Sequence, residues 1–536
     1  MPAEKVGGSF APLLQPTFAL LWGATVIGNV GSFMRDVASA WLVTEAAAGP
    51  AAVALIQAAA TLPVFLLAIP AGVLADILDR RKFLLVVQVM LACVSLSLML
   101  LSQAGLASVA ALAGLTFLGG IGAALMAPTW QAIVPELVAP RDTRDAVALN
   151  SLGINIARAI GPAAGGLILA SFGAAVTYGV DVASYAVVIV ALLLWRRPKR
   201  VEDPLDERFA GAFRAGLRYA RSSRELHVVL LRAALFFLLA SAVWALLPLV
   251  ARQLLGGDAG YYGLLLGAVG AGAILGAVLL PWARRHLDID GLLLASGLLT
   301  AAVMALLALA PPRLVAPLVL VLLGMGWITA LTGLNGTAQS ILPNWVRGRA
   351  LAVYLTVFNG AMTAGSLLWG AVAEAIGVPW TLWVAALVLA VSALLLRRIP
   401  LPRGEADLSP SRHWPEPLLA APVEQDRGPV MILIEYRVEP AARAGFLAAI
   451  HRLSSARRRD GAYAWGITED AADPTLMVEW FTIESWAEHL RQHRRVAHAD
   501  ADLQAALWRF HTGAEAPRVR HLLGLGKPEP AASPPE

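Results

Sequence analysis

Charged side chains stand inside otherwise apolar runs at Arg35, Asp36, Arg158, Asp181 and Glu374. A charge in hydrocarbon costs at least about 2.5–3.5 kcal/mol, so each needs a partner, a watery path or a task. The neighbours Arg35 and Asp36 read as a local ion pair in an overlong helix. Glu374 reads as an interfacial residue near the end of its run. Arg158 sits too centrally to snorkel easily. It needs a carboxylate, a water-filled cavity or an anionic ligand. Asp36 and Asp181 are the carboxylates available to it. An aspartate paired with arginine stays ionised until the pair opens, and can then accept a proton.

The elements that must position these charges follow from composition. The 536 residues are 58% hydrophobic and 15% charged, with one cysteine, Cys93, and a net charge of +5. Ordinary soluble domains carry roughly a quarter charged residues. The single cysteine excludes an intrachain disulfide and a cysteine-rich metal cluster. After residue 402 the chain holds 16 basic and 19 acidic residues, a net −3, which leaves +8 on the first 402. Residues 1–402 are therefore built for lipid and the remainder for water. No nucleic-acid partner is expected, because the positive charge sits in membrane loops.

A membrane helix needs about 20 apolar residues. Twelve such runs fall near 17–44, 51–75, 83–102, 105–127, 147–171, 174–195, 226–250, 261–282, 290–310, 314–336, 350–376 and 378–396. The first reads as an uncleaved span. Basic residues follow the even-numbered runs: Arg80, Arg81 and Lys82; Arg141 and Arg144; Arg284 and Arg285; Arg347 and Arg349. The richest link follows run six. This asymmetry predicts that both termini are cytoplasmic in a multi-pass inner-membrane protein. Within that link Phe209, Phe213 and Leu217 recur every four residues, the pattern of an interfacial amphipathic helix or of a solvated connector. The runs divide six plus six. Gln131 and Pro135 recur as Gln339 and Pro343, and Phe172-Gly173 recurs as Ile376-Gly377. A duplicated six-span unit suits a machine whose halves rock about a central site.

Two short motifs sharpen this. Between runs two and three stand Gly72, Asp76, Asp79, Arg80 and Arg81. Small residues with alternating acid and base there can form a charge network that breaks when the halves part. In run five, Gly161, Pro162, Gly165 and Gly166 allow tight packing and a bend. Together they resemble the major facilitator superfamily, in its bacterial exporter branch with macrolide and enterobactin exporters, over residues 10–400. Departures are Ile77 where Arg is usual, Asp79 where Gly is usual, Ala157 for an upstream Gly, and Thr116 where antiporters carry an Arg. The resemblance implies a gating role for the first motif and an antiporter role for the second. With Thr116 in place of arginine, the expected proton-coupling set is Arg158 with Asp36 or Asp181.

A substrate cavity is expected to use polar and aromatic groups on pore-facing helices. The candidates are Asn29, Trp41, Trp130, Gln131, Asn155, Trp244, Trp327, Asn335, Gln339 and Asn359. About half are expected to face it, since tryptophan also favours the lipid interface.

The tail reads β-α-β-β-α-β from 430 to 525, the ferredoxin-like plan. It resembles the small dimeric α/β-barrel domains related to antibiotic-biosynthesis monooxygenases. Tyr463, Trp465, Trp480, Trp486, His489 and His493 could line a pocket. His489 and His493 lack an obvious third ligand, so neither a metal site nor a cofactor is expected. A partner-binding or dimerisation module is the expected role.

The expected organisation is an all-α polytopic membrane protein with a small α+β domain. Its parts are a first half (1–195), a central link (196–225), a second half (226–398), a linker (399–428), a soluble domain (429–525) and a disordered end (526–536). The expected function is a secondary active, proton-coupled exporter of a small amphipathic molecule, and not an enzyme. A lysolipid or lipid flippase on the same fold, and a membrane-tethered monooxygenase or ligand-binding protein, are the alternatives. No Gly-x-x-x-x-Gly-Lys-Ser/Thr pattern is present, against ATP-driven transport by this chain alone.

Overall fold

The computed structural model describes residues 10–195, 209–343, 345–404, 407–409, 411, 414, 423–424 and 427–525. Helices dominate: α1 (Pro16–Glu45), α2 (Pro50–Ile77), α3 (Arg80–Gln103), α4 (Val109–Ile133) and α5 (Thr143–Leu194) come first. After a shorter α6 (Phe209–Ser222) come α7 (Arg224–Leu249), α8 (Ala259–Ala283), α9 (Ile289–Ala308), α10 (Ala316–Ser340), α11 (Arg347–Ile376) and α12 (Val378–Leu396). Among the described residues eleven helices are long and apolar enough to span a membrane. The expected twelve spans are reached because α5, at 52 residues, carries two of them. Gly173 breaks it with φ 80° and ψ 174°, a left-handed conformation that side chains resist. Its counterpart in the repeat, Gly377, has φ 82° and ψ 159° immediately before α12. The same local geometry thus joins the last two spans of each half.

Helix starts follow the sequence. Pro16 opens α1 and Pro50 opens α2, positions where a missing N–H costs nothing. Asp79, Asp258 and Asp288 cap α3, α8 and α9 by accepting from the backbone N–H of Lys82, Tyr261 and Gly291.

The described residues of the chain group into two compact units. One comprises Met1–Pro204, Val228–Gly336 and Ala352–Leu401. The other comprises Leu205–His227, Thr337–Leu351 and Pro402–Glu536, so it takes in α6 and the α10–α11 link along with the tail.

In the second unit, β1 (Val430–Arg437), α13 (Arg443–Arg459), β2 (Ala464–Glu469), β3 (Leu476–Ile483), α14 (Trp486–Arg495), α15 (His498–Trp508) and β4 (Arg518–Leu523) follow in order. The antiparallel sheet has order β2-β3-β1-β4, the ferredoxin-like arrangement read from the sequence. Alternation along β1 puts Val430, Ile432, Ile434 and Tyr436 into one core with Phe446, Ile450 and Phe481. α6 belongs to this unit: Tyr219 is buried, donates to the Ile341 carbonyl at 3.2 Å and packs edge-on against Trp345. The side chains of Phe209 and Phe213 lie outside the described residues.

Candidate functional site

Three of the five intramembrane charges, Arg35, Asp36 and Asp181, meet at the Arg35 guanidinium. The guanidinium is buried on α1 and donates to Asp36 at 3.1 Å and to the Tyr185 hydroxyl at 2.9 Å. Asp181, fully buried on the second span of α5, lies 3.5 Å from the same guanidinium. Ser95 of α3 donates to Asp181 at 2.6 Å, and Ser32 lies 2.9 Å from Tyr185. Gly31 makes room, because a Cβ there would stand 2.2 Å from the Ser184 hydroxyl and 2.6 Å from Asp181. One arginine thus shares two carboxylates of opposite character. Asp181 is sealed, whereas the Asp36 side chain is 47% exposed.

Asp36 and Asp181 therefore meet through Arg35 and not through Arg158. Arg35 precedes Asp36 on one helical turn and faces the α5 span that carries Asp181. Arg158 lies on the other span of α5, half-buried, and forms no ion pair among the described residues. Its carbonyl instead stands 3.5 Å from where a Cβ on Gly270 of α8 would be. The sequence displayed Arg35 beside Asp36; what it hid was that Ser95, Asp181 and Tyr185 fold onto the same head group.

The glycine motif of α5 is a packing seam. A Cβ on Gly161 would stand 2.7 Å from Phe33, and one on Gly165 2.8 Å from the Met34 Cα, both on α1. A Cβ on Gly166 would stand 2.5 Å from the Gly263 Cα of α8, and Gly263 in turn packs under the Pro162 carbonyl. The motif therefore seats α5 against a helix of its own half and a helix of the other half.

Further contacts join the halves. Thr61 and Thr363 hydroxyls are 2.7 Å apart, Trp41 stacks on Tyr262, and Arg252 donates to the Thr44 carbonyl. Glu374 accepts from the Ala51 N–H at 3.3 Å. The last three contacts lie at the end of the bundle where α1 finishes and α2 begins.

At the opposite end of α2, Arg80 donates to the carbonyls of Ala75 and Ala132, each at 3.2 Å, and pairs with Glu136. Arg81 donates to the Leu192 and Leu193 carbonyls, both at 2.8 Å. These arginines satisfy the last carbonyls of neighbouring helices, which lack partners within their own helix. Gly72 is half-buried in α2, and the Asp76 side chain lies outside the described residues.

The aromatic and amide candidates separate. Trp244 and Trp327 pack edge-on at 5.0 Å, and Phe236, Phe237 and Phe358 extend the cluster. Trp130 is buried and donates to Asn150 at 2.7 Å. Asn359 is buried and donates to the Leu355 carbonyl. Gln131, Asn155 and Gln339 are exposed, and Asn29 and Asn335 half-buried. An apolar groove between α9 and α12 is lined by Leu298, Ala302, Trp380, Trp383 and Leu387.

A profile of the family described as transmembrane secretion effectors, a branch of the major facilitator superfamily, matches residues 7–529. The chain belongs to that superfamily. Major facilitator proteins of known structure share its fold. A D-xylose–proton symporter superposes with a TM-score of 0.58 at 17% identity, covering 73% of this chain and 99% of the symporter. An inward-facing bacterial homologue of the lysosomal transporter Spinster gives 0.57 at 16%, covering 72% and 98%. By sequence, the chain is 24% identical to the staphyloferrin A transporter of Staphylococcus aureus, over 65% of this chain and 87% of that protein. It is 26% identical to the multidrug efflux pump Tap of Mycolicibacterium fortuitum, over 72% and 96%. It is 27% identical to the enterobactin exporter EntS of Salmonella typhimurium, over 57% and 71%. This major facilitator protein is a multi-pass membrane transporter and not an enzyme.

Proposed function

We propose that the chain exports a small amphipathic molecule, of the siderophore or hydrophobic-drug class, across the inner membrane by proton-coupled alternating access. The supporting observation is the Arg35–Asp36–Asp181 cluster, which holds a sealed carboxylate and an accessible one on a single arginine. A proton reaching Asp36 weakens its hold on Arg35, and the guanidinium can then shift toward Asp181. Arg158, unpaired among the described residues, is assigned to an anionic substrate group or a second aqueous path. The rocking bodies are residues 1–195 and 226–398, and the two motifs serve as gate and as seam. Trp244 and Trp327, with Asn335 and Asn359, supply part of the substrate path. Basic loops support cytoplasmic termini. Helix ends joined at the Thr44–Pro50 side then correspond to a state open to the cytoplasm.

The test is uptake of candidate siderophores and drugs into inverted vesicles under an imposed pH gradient. Asp36→Asn and Asp181→Asn should each abolish the gradient-driven component. Unchanged uptake in both overturns the coupling assignment. A second reading, lysolipid flipping, draws support from the apolar α9–α12 groove; transport of labelled lysolipid by vesicles carrying the chain, with no effect of the gradient on siderophores, would favour it. The tail is assigned to dimerisation through the open sheet face carrying Met431, Leu433, Val478 and Trp480, which sedimentation of the purified transporter checks. Transport retained after deletion of 403–536 would argue against chemistry in the tail.

A further inference from the structure

His489 and His493 face the same way on α14 because they are four residues apart. β4 is an edge strand, and it brings His521 to them. The three imidazoles present ligand atoms that all lie within 4.8 Å of one another. The two Nε2 atoms of His489 and His493 are 3.2 Å apart. Two imidazoles bound tetrahedrally to one zinc ion, at about 2.0–2.1 Å each, hold their nitrogens about 3.3 Å apart. The ring of His521 is 4.8 Å from that of His489, so a modest rotation completes the set.

The surroundings fit as well. His489 is buried, and the other two histidines are half-buried. The Nδ1 atom of His489 and both amide atoms of the fully buried Gln492 are otherwise unsatisfied. Gln492 can therefore hold Nδ1–H and turn the Nε2 lone pair of His489 toward the cluster, as outer-shell groups do at metal sites. Trp486 packs against His489 and His521 and closes the apolar side.

We infer that His489, His493 and His521 bind one divalent transition metal of the zinc class, with the remaining coordination position open to solvent or an added ligand. Three neutral nitrogen donors suit Zn(II), Co(II), Ni(II) and Cu(II), and suit Mg(II) and Ca(II) poorly. α14 also carries Glu488 and Arg495. Glu488 lies 3.7 Å from Arg218 of α6, and Arg495 stacks over Trp345 at 4.3 Å. A bound metal would brace the helix that grips both elements.

The test uses the full-length chain, purified in detergent through a tag without histidine, stripped with chelator and titrated with Co(II) and then Zn(II). The expected result is an intense visible absorption of tetrahedral Co(II), saturating at one ion per chain and erased by Zn(II). His521→Gln and His493→Gln should lose it, His511→Gln, which lies outside the cluster, should keep it, and Gln492→Ala should weaken binding about 10- to 100-fold. Retention by His521→Gln overturns the proposal. So does absence of the band in the unmodified chain, a result that does not depend on whether any variant folds. In that case the short His489–His493 contact is an imidazole–imidazole hydrogen bond.

Discussion

Two of the molecule's buried arginine–carboxylate clusters differ instructively, one among the spans and one in the tail. In the tail, Arg457 pairs with Glu479 at 3.2 Å, and both side chains are almost fully buried. Tyr436 donates to the other Glu479 oxygen at 3.0 Å, and Trp465 donates at 2.9 Å. Burial, then the Glu479 carboxylate, hold the Tyr436 phenol well above its usual range, so it remains a donor. These four side chains belong to one small sheet and its helix. Among the spans, Arg35 divides itself between a sealed Asp181 and an open Asp36 that come from different parts of the fold. A closed cluster has one arrangement and pins a core. In the coupling we propose, a cluster with one open carboxylate rearranges when a proton arrives and so can follow a moving helix.

Transport separates the two most sharply. Asp181→Asn should abolish gradient-driven export, whereas Glu479→Gln should leave its rate within a few-fold of normal, measured side by side in vesicles. The reverse pattern would break the comparison. Stability should run the other way. Glu479→Ala leaves Arg457 buried and uncompensated, which costs about 3–5 kcal/mol. Denaturant unfolding of the full chain, followed through tail tryptophans, should show that loss in the tail transition alone.

Asp460 gives a smaller effect that depends on pH. Burial pushes its carboxyl up to about 7, against Arg459 and Arg457, with Asp500 adding to the rise. The folded tail thus keeps a proton that the unfolded chain has released. Its stabilisation is complete below the ordinary carboxylate range and is lost as pH rises toward about 7. Asp460→Asn should flatten this slope in unfolding curves taken from pH 4 to 8. The smallest effect belongs to Arg443→Ala, which removes a pair with Glu469 that is well exposed to solvent. Such pairs contribute roughly 0–1 kcal/mol, so the midpoint should barely move.

Much of the fold was legible because hydrocarbon leaves few options. Runs of about 20 apolar residues, with basic residues after the even ones, specify helices and their alternation. The turn at Gly173 and its echo at Gly377 were readable as a repeat before their φ angles were known. The order of tail strands followed from alternation and turn residues. The candidate site was legible only in part. Asp36 and Asp181 stood out because charge in an apolar run is costly. Arg35 stood out beside Asp36 for the same reason, but its reach to Asp181 and Tyr185 did not, because they are far from it in the chain and no spacing rule joins them. His521 was invisible beside His489 and His493 for the same reason: a strand supplies it, and a helix supplies the other two.

The sequence by itself determined which segments cross lipid, which end in water and which charges needed explaining, since these depend on local transfer free energies. Only the tertiary structure decided which arginine takes both aspartates and which glycine faces the other half. It also decided that α6 and the α10–α11 link group with the tail. Those outcomes depend on side chains distant in sequence meeting within a few ångströms, where Coulomb attraction and close packing act and composition carries no information.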